Sequence, residues 1–247
     1  METYSLLQLS LDQTIERAAL EDATDAVRGI TRMDCPRILR ERSGILISGL
    51  ERDDALAFQA ALNRHHFPTT VVDDNQLPLL HESFQIQRIE HRDEVILFTD
   101  SMGRVRTKYL SDLVFIAAGF LGRIEFKTET QLKVNPRSDG DGPMFITERE
   151  THEETTTEFR LDFFFTEAPH RLNALLCPET AIFHQGHPVR MKNQAAMDEL
   201  LAAMGRLLPP ERLNSVLRDP ASAGIYPNSH CYEKEIRWHF HRLIASA

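Results

Sequence analysis

Gln76-Leu77-Pro78-Leu79-Leu80 divides this 247-residue chain into two parts of different character. Ahead of it strand and helix signals alternate. Behind it helical periodicity disappears for about a hundred residues, so the two sides call for different architectures. Upstream, Thr3 to Leu9 is an apolar run (Tyr4, Leu6, Leu7, Leu9) that reads as a buried strand. Asp12 is placed to cap a helix carrying Ile15, Ala19, Ala23, Ala26 and Val27 on one stripe, with Gly29 closing it. Ile30 to Met33 reads as a turn or weak strand, followed by one or two helical turns from Asp34 and Pro36. Gly44-Ile45-Leu46-Ile47 is a strand, residues 53–65 a helix with Leu56, Ala60 and Leu62, and Pro68 to Val72 a β-branched strand.

Downstream, Phe84 to Ile89, Glu94 to Thr99 and Val105 to Leu110 read as strands, with Asp100-Ser101-Met102-Gly103 turning the last two into a hairpin. Leu113 to Phe120 fits a buried strand or a short helix. Ile124 to Val134, Glu158 to Phe165 and Arg171 to Cys177 continue the β pattern. The turn-rich, acidic stretch 138–158 is expected to be a mobile loop or a long hairpin excursion. The chain closes with a helix near 193–207 and a second one capped by Ser229, with Tyr232, Ile236, Phe240 and Leu243 on one stripe.

The order strand–helix–strand–strand–helix–strand in residues 1–80 resembles the ferredoxin-like fold, and its packaging is similar to heavy-metal-associated domains. Metal-carrying members of that group place a Cys-x-x-Cys pair in the loop after the first strand. Here that loop is Ser10-Leu11-Asp12-Gln13-Thr14, so the resemblance implies the βαββαβ fold without the metal transport. Antiparallel strands followed by a helix in 81–247 resemble a pleckstrin-homology-type barrel, from which the helix near 193–207 departs. The expectation is an α+β protein of two domains, 1–80 and 81–247.

A net charge of −9, with two basic and nine acidic residues in 138–169, argues against general nucleic-acid binding, because phosphate contacts dominate such affinity. Three dispersed cysteines (Cys35, Cys177, Cys231) suit a reducing compartment. Met1-Glu2-Thr3 lacks the basic start of a signal peptide, and the longest apolar run, Leu113 to Leu121, is half a membrane span. A cytoplasmic protein without a transmembrane segment is expected.

Motifs that invite chemistry fail on their ligand requirements. Thr151-His152-Glu153-Glu154-Thr155-Thr156 begins like a His-Glu-x-x-His zinc helix but has Thr156 in place of the second imidazole. Asp139-Gly140-Asp141-Gly142 misses the register of a calcium loop. His184 with His187, and His239 with His241, lack a third ligand nearby, and His239 is expected at the core border with His241 facing solvent. His91-Arg92-Asp93 repeats a kinase tripeptide without the motifs that accompany it. No metal or cofactor is expected, and no catalytic residue is assigned. The one positive pattern is Arg104, Arg106 and Lys108 alternating with Val105, Thr107 and Tyr109. If the latter three pack inward, the three cations share a face that could hold an anion or a phospholipid headgroup. Charged solvated faces and edge strands blunted by Lys or Arg give the same pattern. The expected role is a non-catalytic protein-binding, scaffolding or regulatory module that engages another protein or itself. Anion binding, and an enzyme with a dispersed site at the domain junction, are the alternatives.

Overall fold

A computed structural model describes residues 2–41, 43–134, 145–176, 180–184, 186–189, 194–222 and 224–245. The N-terminal unit runs β1 (Tyr4–Gln8), α1 (Arg17–Thr24), α2 (Cys35–Glu41), β2 (Ile45–Leu50), α3 (Arg52–Arg64) and β3 (Thr69–Asp73). Next come β4 (Phe84–Gln85), β5 (Arg88–Arg92), β6 (Val95–Thr99), β7 (Val105–Tyr109), β8 (Leu113–Val134) and β9 (Phe145–Phe165). The chain then passes through β10 (Arg171–Leu176), β11 (Ala181–His184), β12 (His187–Val189), α4 (Gln194–Gly205), α5 (Ser215–Arg218), β13 (Ile225–Tyr226) and α6 (Ser229–Ala245). The α+β class therefore holds.

The finer expectations need correction. Of the turn or weak strand expected at Ile30 to Met33, the structure has the turn: Arg32–Asp34 is a 3-10 turn closed by a Thr31–Asp34 capping box. The N-terminal sheet consequently has three strands, in the order β2-β1-β3 with both pairings antiparallel, instead of the four of a βαββαβ unit. The first helix starts after Glu16, not at Asp12, and its C-cap is Asp25. Downstream, two five-stranded sheets are present, ordered β13-β8-β9-β10-β4 (the middle sheet) and β12-β11-β5-β6-β7 (the outer sheet). Neither closes into a barrel among the described residues. Leu113 to Phe120 is strand, continuous with Ile124 to Val134. Of the acidic stretch 138–158, residues 138–144 lie outside the described residues, and 145–158 form strand, as in the hairpin alternative. From Gly122↔Thr157 to Val134↔Phe145, β8 and β9 pair only with each other among the described residues, which makes them a two-stranded ribbon.

The core is layered around α6, whose residues are buried on two sides. At the end of β9 Phe163 and Phe165 face the outer sheet and meet Phe98 of β6 edge-on, with centroids 5.1 and 5.8 Å apart. The residues between them face α6, where Phe164 meets Phe240 at 5.1 Å and the Tyr232 hydroxyl donates to Asp162 Oδ2 at 3.0 Å. The opposite side of α6 docks on the N-terminal unit. Trp238 packs with Leu7, Ile45, Val72 and Leu77, and its Nε1 donates to Gln8 O at 2.7 Å. Lys234 and Arg242, one turn to either side, donate to Glu41 O and Leu9 O. The remaining face of the N-terminal sheet packs Leu6, Leu46 and Leu50 against Leu20, Phe58 and Leu62 of α1 and α3. The expected stripe of Tyr232, Ile236 and Phe240 is thus one of two stripes on this helix. Its cap is Asn228, whose Oδ1 accepts from Cys231 N–H, in place of Ser229.

Candidate functional site

In β7, which Arg104 precedes and which carries Arg106 and Lys108, the alternation is the reverse of the expected one. Val105 and Tyr109 are 61% and 57% exposed, whereas Lys108 is 7% exposed. The β6–β7 register sets Arg106 opposite Phe98 and Lys108 opposite Ile96, on the face that packs against the middle sheet. The Lys108 ammonium donates to Glu167 O at 2.9 Å and Ala168 O at 3.0 Å and lies 5.2 Å from the Phe165 ring centre. Arg106 stacks on Phe84 at 5.2 Å, its Nε buried and without a hydrogen-bond partner. Arg104 precedes the strand and is paired with Asp100 at 2.7 Å. Burial raises the Asp100 carboxyl, but hydrogen bonds from the Arg104 side chain and the Arg104 and Met102 amides outweigh it and hold its pKa below the usual value. The three cations therefore do not share an exposed face. The physical reason is that Lys and Arg stems reach across apolar surface while their heads find carbonyls or rings at its rim.

This arrangement leaves an open edge. The Asp100 N–H donates to Arg104 O at 3.1 Å and the Leu110 N–H to Glu94 O at 2.9 Å. Antiparallel alternation between those two bonds makes Arg106 and Lys108 exchange backbone bonds with β6, and turns the N–H and C=O groups of Val105, Thr107 and Tyr109 outward. No strand lies beyond β7 among the described residues. Beside this edge, the outer face of the sheet carries half-buried Val95, Leu97 and Phe183, then the Arg88–Glu90–Arg92 ion-pair cluster, with Arg88 over the Phe183 ring at 4.3 Å.

A cavity of about 500 Å³ opens between the N-terminal unit and α6, lined among others by Asp12, Arg40, Ser215, Tyr226 and Glu235. Its polar groups satisfy one another. Glu235 Oε2 accepts from the Tyr226 hydroxyl at 2.6 Å and Oε1 from Ser215 N–H at 2.8 Å. Asn214 donates to Ala118 O at 2.7 Å and accepts from Ala118 N–H at 3.0 Å. Burial first, then the Glu235 carboxylate, pushes the Tyr226 hydroxyl well above its usual pKa. Among the described residues Ser215 Oγ has one hydrogen-bond partner, this phenol at 3.5 Å. The network ties α5 and β13 to β8. A second buried cluster joins Asp162 to Arg171 Nε at 2.8 Å and Arg160 Nε at 2.9 Å, with Glu233 bridging to Arg171 at 2.9 Å.

No two of the described histidines line the cavity between the N-terminal unit and α6. His65 pairs with Asp22 at 2.7 Å, His81 stacks on His170 at 4.5 Å, and His239 is buried against Phe115 and Trp238. His241 is half-buried, not solvent-facing. His152 to Thr156 belong to a strand, not a helix, and residues 139–142 fall outside the described residues, as does Cys177. Cys35 and Cys231 are buried free thiols whose pKa burial raises. Among the described residues no group of three His, Cys, Asp or Glu is placed to hold a metal ion, and no helix is long and apolar enough to cross a membrane. No protein-family model, curated protein or solved structure matches the chain.

Proposed function

We propose that this chain is a non-catalytic protein-binding module that takes an extended segment of another protein along the edge of β7. The observation that carries this reading is the open edge itself: three outward backbone pairs at Val105, Thr107 and Tyr109, beside exposed apolar side chains on the sheet's outer face. Adding a strand to such an edge supplies main-chain hydrogen bonds, with alternate side chains giving selectivity. The inward cations decide which strand fits. A second copy pairing antiparallel about Thr107 would set Arg106 against Lys108, like charges directly opposite, which destabilises. A strand with a carboxylate at those positions is favoured instead, so the partner is another protein with an acidic extended segment. Anion or phospholipid binding by Arg104, Arg106 and Lys108 together receives less support, since two of them are engaged within the fold.

The test is a random peptide library selected against the full chain, followed by amide chemical-shift mapping of the binders. The expected result is acidic, extended peptides that perturb Val105–Tyr109 and lose binding to Thr107→Pro, which removes an outward N–H at a position where an edge tolerates proline. An empty selection, binders mapping elsewhere, or unchanged binding to Thr107→Pro would each refute the proposal.

A further inference from the structure

A second cavity, of about 740 Å³, lies where α2, β2 and the first turns of α6 meet, on the side of the molecule that the β7 reading does not use. Its distinguishing group is Lys234, which lines the cavity yet is only 9% exposed. An ammonium has three donors, and among the described residues its one hydrogen bond is to Glu41 O at 3.3 Å. Among the described residues no carboxylate lies within ion-pair distance of it. Burial, the largest influence, lowers its pKa, with Cys231 and Glu41 partly offsetting. Keeping a cation in such a place without a directly paired carboxylate is unfavourable, and a chain with only a structural need there could use methionine. Arg28, Arg37 and His230 stand around the same cavity, all exposed, with Arg37 paired to Asp34 at 3.4 Å. The wall facing them is made by Ser48 and Gly49, where the β1–β2 register slips, the kind of bulge that shapes ligand sites.

We infer that this cavity binds a small molecule through an oxyanion, a phosphate monoester or a carboxylate, held by the Lys234 ammonium with the Arg28 and Arg37 guanidinium groups closing over it. The size falls within the range of small-ligand pockets. Glu41, at the end of α2, and Glu51 and Asp54, at the start of α3, line the cavity too. Their charge disfavours a polyanion and selects a ligand whose far end is neutral or cationic. A nucleic acid or an anionic lipid surface is excluded on the same ground.

Amide chemical-shift titration of the full chain with inorganic phosphate, and separately with acetate, at constant ionic strength tests this. Saturable perturbations confined to Ser48, Gly49, His230 and Lys234 are expected, phosphate outranking acetate if the natural group is a monoester and the reverse if it is a carboxylate. Lys234→Met should weaken the binding about tenfold or more, the loss of one charge-assisted hydrogen bond. Should that variant fail to fold, Ser48→Phe, at an exposed position of the wall, narrows the cavity and should abolish the perturbations with the stability unchanged. Absence of saturable binding by either anion, perturbations centred elsewhere, or titration of a folded Lys234→Met or Ser48→Phe chain identical to that of the parent would overturn the inference.

Discussion

Trp238→Ala removes the buried ring that α6 packs on the N-terminal sheet, and its cost can be worked from the packing. Trp238 is 2% exposed, and an indole in such a site buries about 200 Å². At about 25 cal/mol per Å² that is about 5 kcal/mol, falling to about 3–4.5 once the residual compactness of an unfolded chain is allowed for. The Nε1–Gln8 bond adds about 1 kcal/mol. The site cannot collapse to recover the loss, because Gly44 already sits under the ring: a Cβ there would come within 2.4 Å of Trp238 Cγ. The expected loss is therefore about 4 kcal/mol, a large part of the stability of any domain, and about 8–16 °C in midpoint for a chain of this size. Urea titration followed by far-ultraviolet circular dichroism measures it. The same experiment on Trp238→Phe should show a smaller loss, about 1–2 kcal/mol, since most of the apolar area remains. The variant also exposes Leu7, Ile45 and Val72, so the N-terminal unit should melt ahead of the two larger sheets. A loss below about 1 kcal/mol, or an undivided transition at the parent midpoint, would refute the idea that α6 is a shared core layer.

Asp162→Asn should cost about 3–5 kcal/mol in the same assay, because it leaves the Arg171 guanidinium, 4% exposed, without its buried counter-charge; a neutral effect would mean the cluster is solvated. Gly119→Ala should cost about 1–3 kcal/mol, since its Cβ would sit 2.8 Å from the Tyr232 ring and 2.9 Å from the Tyr226 ring, both pinned by hydrogen bonds; full retention of stability would show that the rings move aside. Acidification should destabilise the fold in two steps. Burial holds the His239 imidazole below its usual pKa, so the unfolded chain takes up that proton first and stability falls as the pH drops below about 6.5. Burial raises Glu235, but His239, the Tyr226 hydroxyl and the Ser215 N–H outweigh it and lower its pKa, so its contribution is present above about 4.3 and lost below. Urea midpoints between pH 8 and about 2.5 check both, and a midpoint that rises on acidification through pH 6 contradicts the burial of His239.

What was legible in the chain was what depends on a few neighbouring residues. The Asp100–Gly103 hairpin is an example: Asp100 Oδ1 accepts from Met102 N–H at 2.9 Å and Arg104 N–H at 3.0 Å, so the turn is built by its own residues. The helices over 53–65 and 193–207 were found within two residues for the same reason. The second stripe of α6 was not legible, because Lys234 and Arg242 look like solvent residues until a neighbouring unit supplies carbonyls for their ends. Trp238 carried the available signal, being the chain's only tryptophan and standing off the Tyr232–Ile236–Phe240 stripe. Neither cavity was legible, since each gathers residues from α6 and from a unit some two hundred positions earlier.

The reversed β7 shows where alternation stops being informative. Period-two patterning separates two faces but does not say which is inside, and hydropathy settled it wrongly because Val105 and Tyr109 are the more apolar set. The deciding influence is position in the sheet. A terminal strand has one neighbour, so an inward residue reaches the sheet's rim, where Lys108 meets the carbonyls of Glu167 and Ala168 and Arg106 meets the Phe84 ring. An interior strand has no such rim, and its inward positions are Ile89, Ile96 and Phe98. Inward cations on an edge oppose pairing with an identical edge and leave the outward apolar residues free. The feature that misleads the reading of faces is therefore the one on which the proposed selectivity for a strand of opposite charge rests.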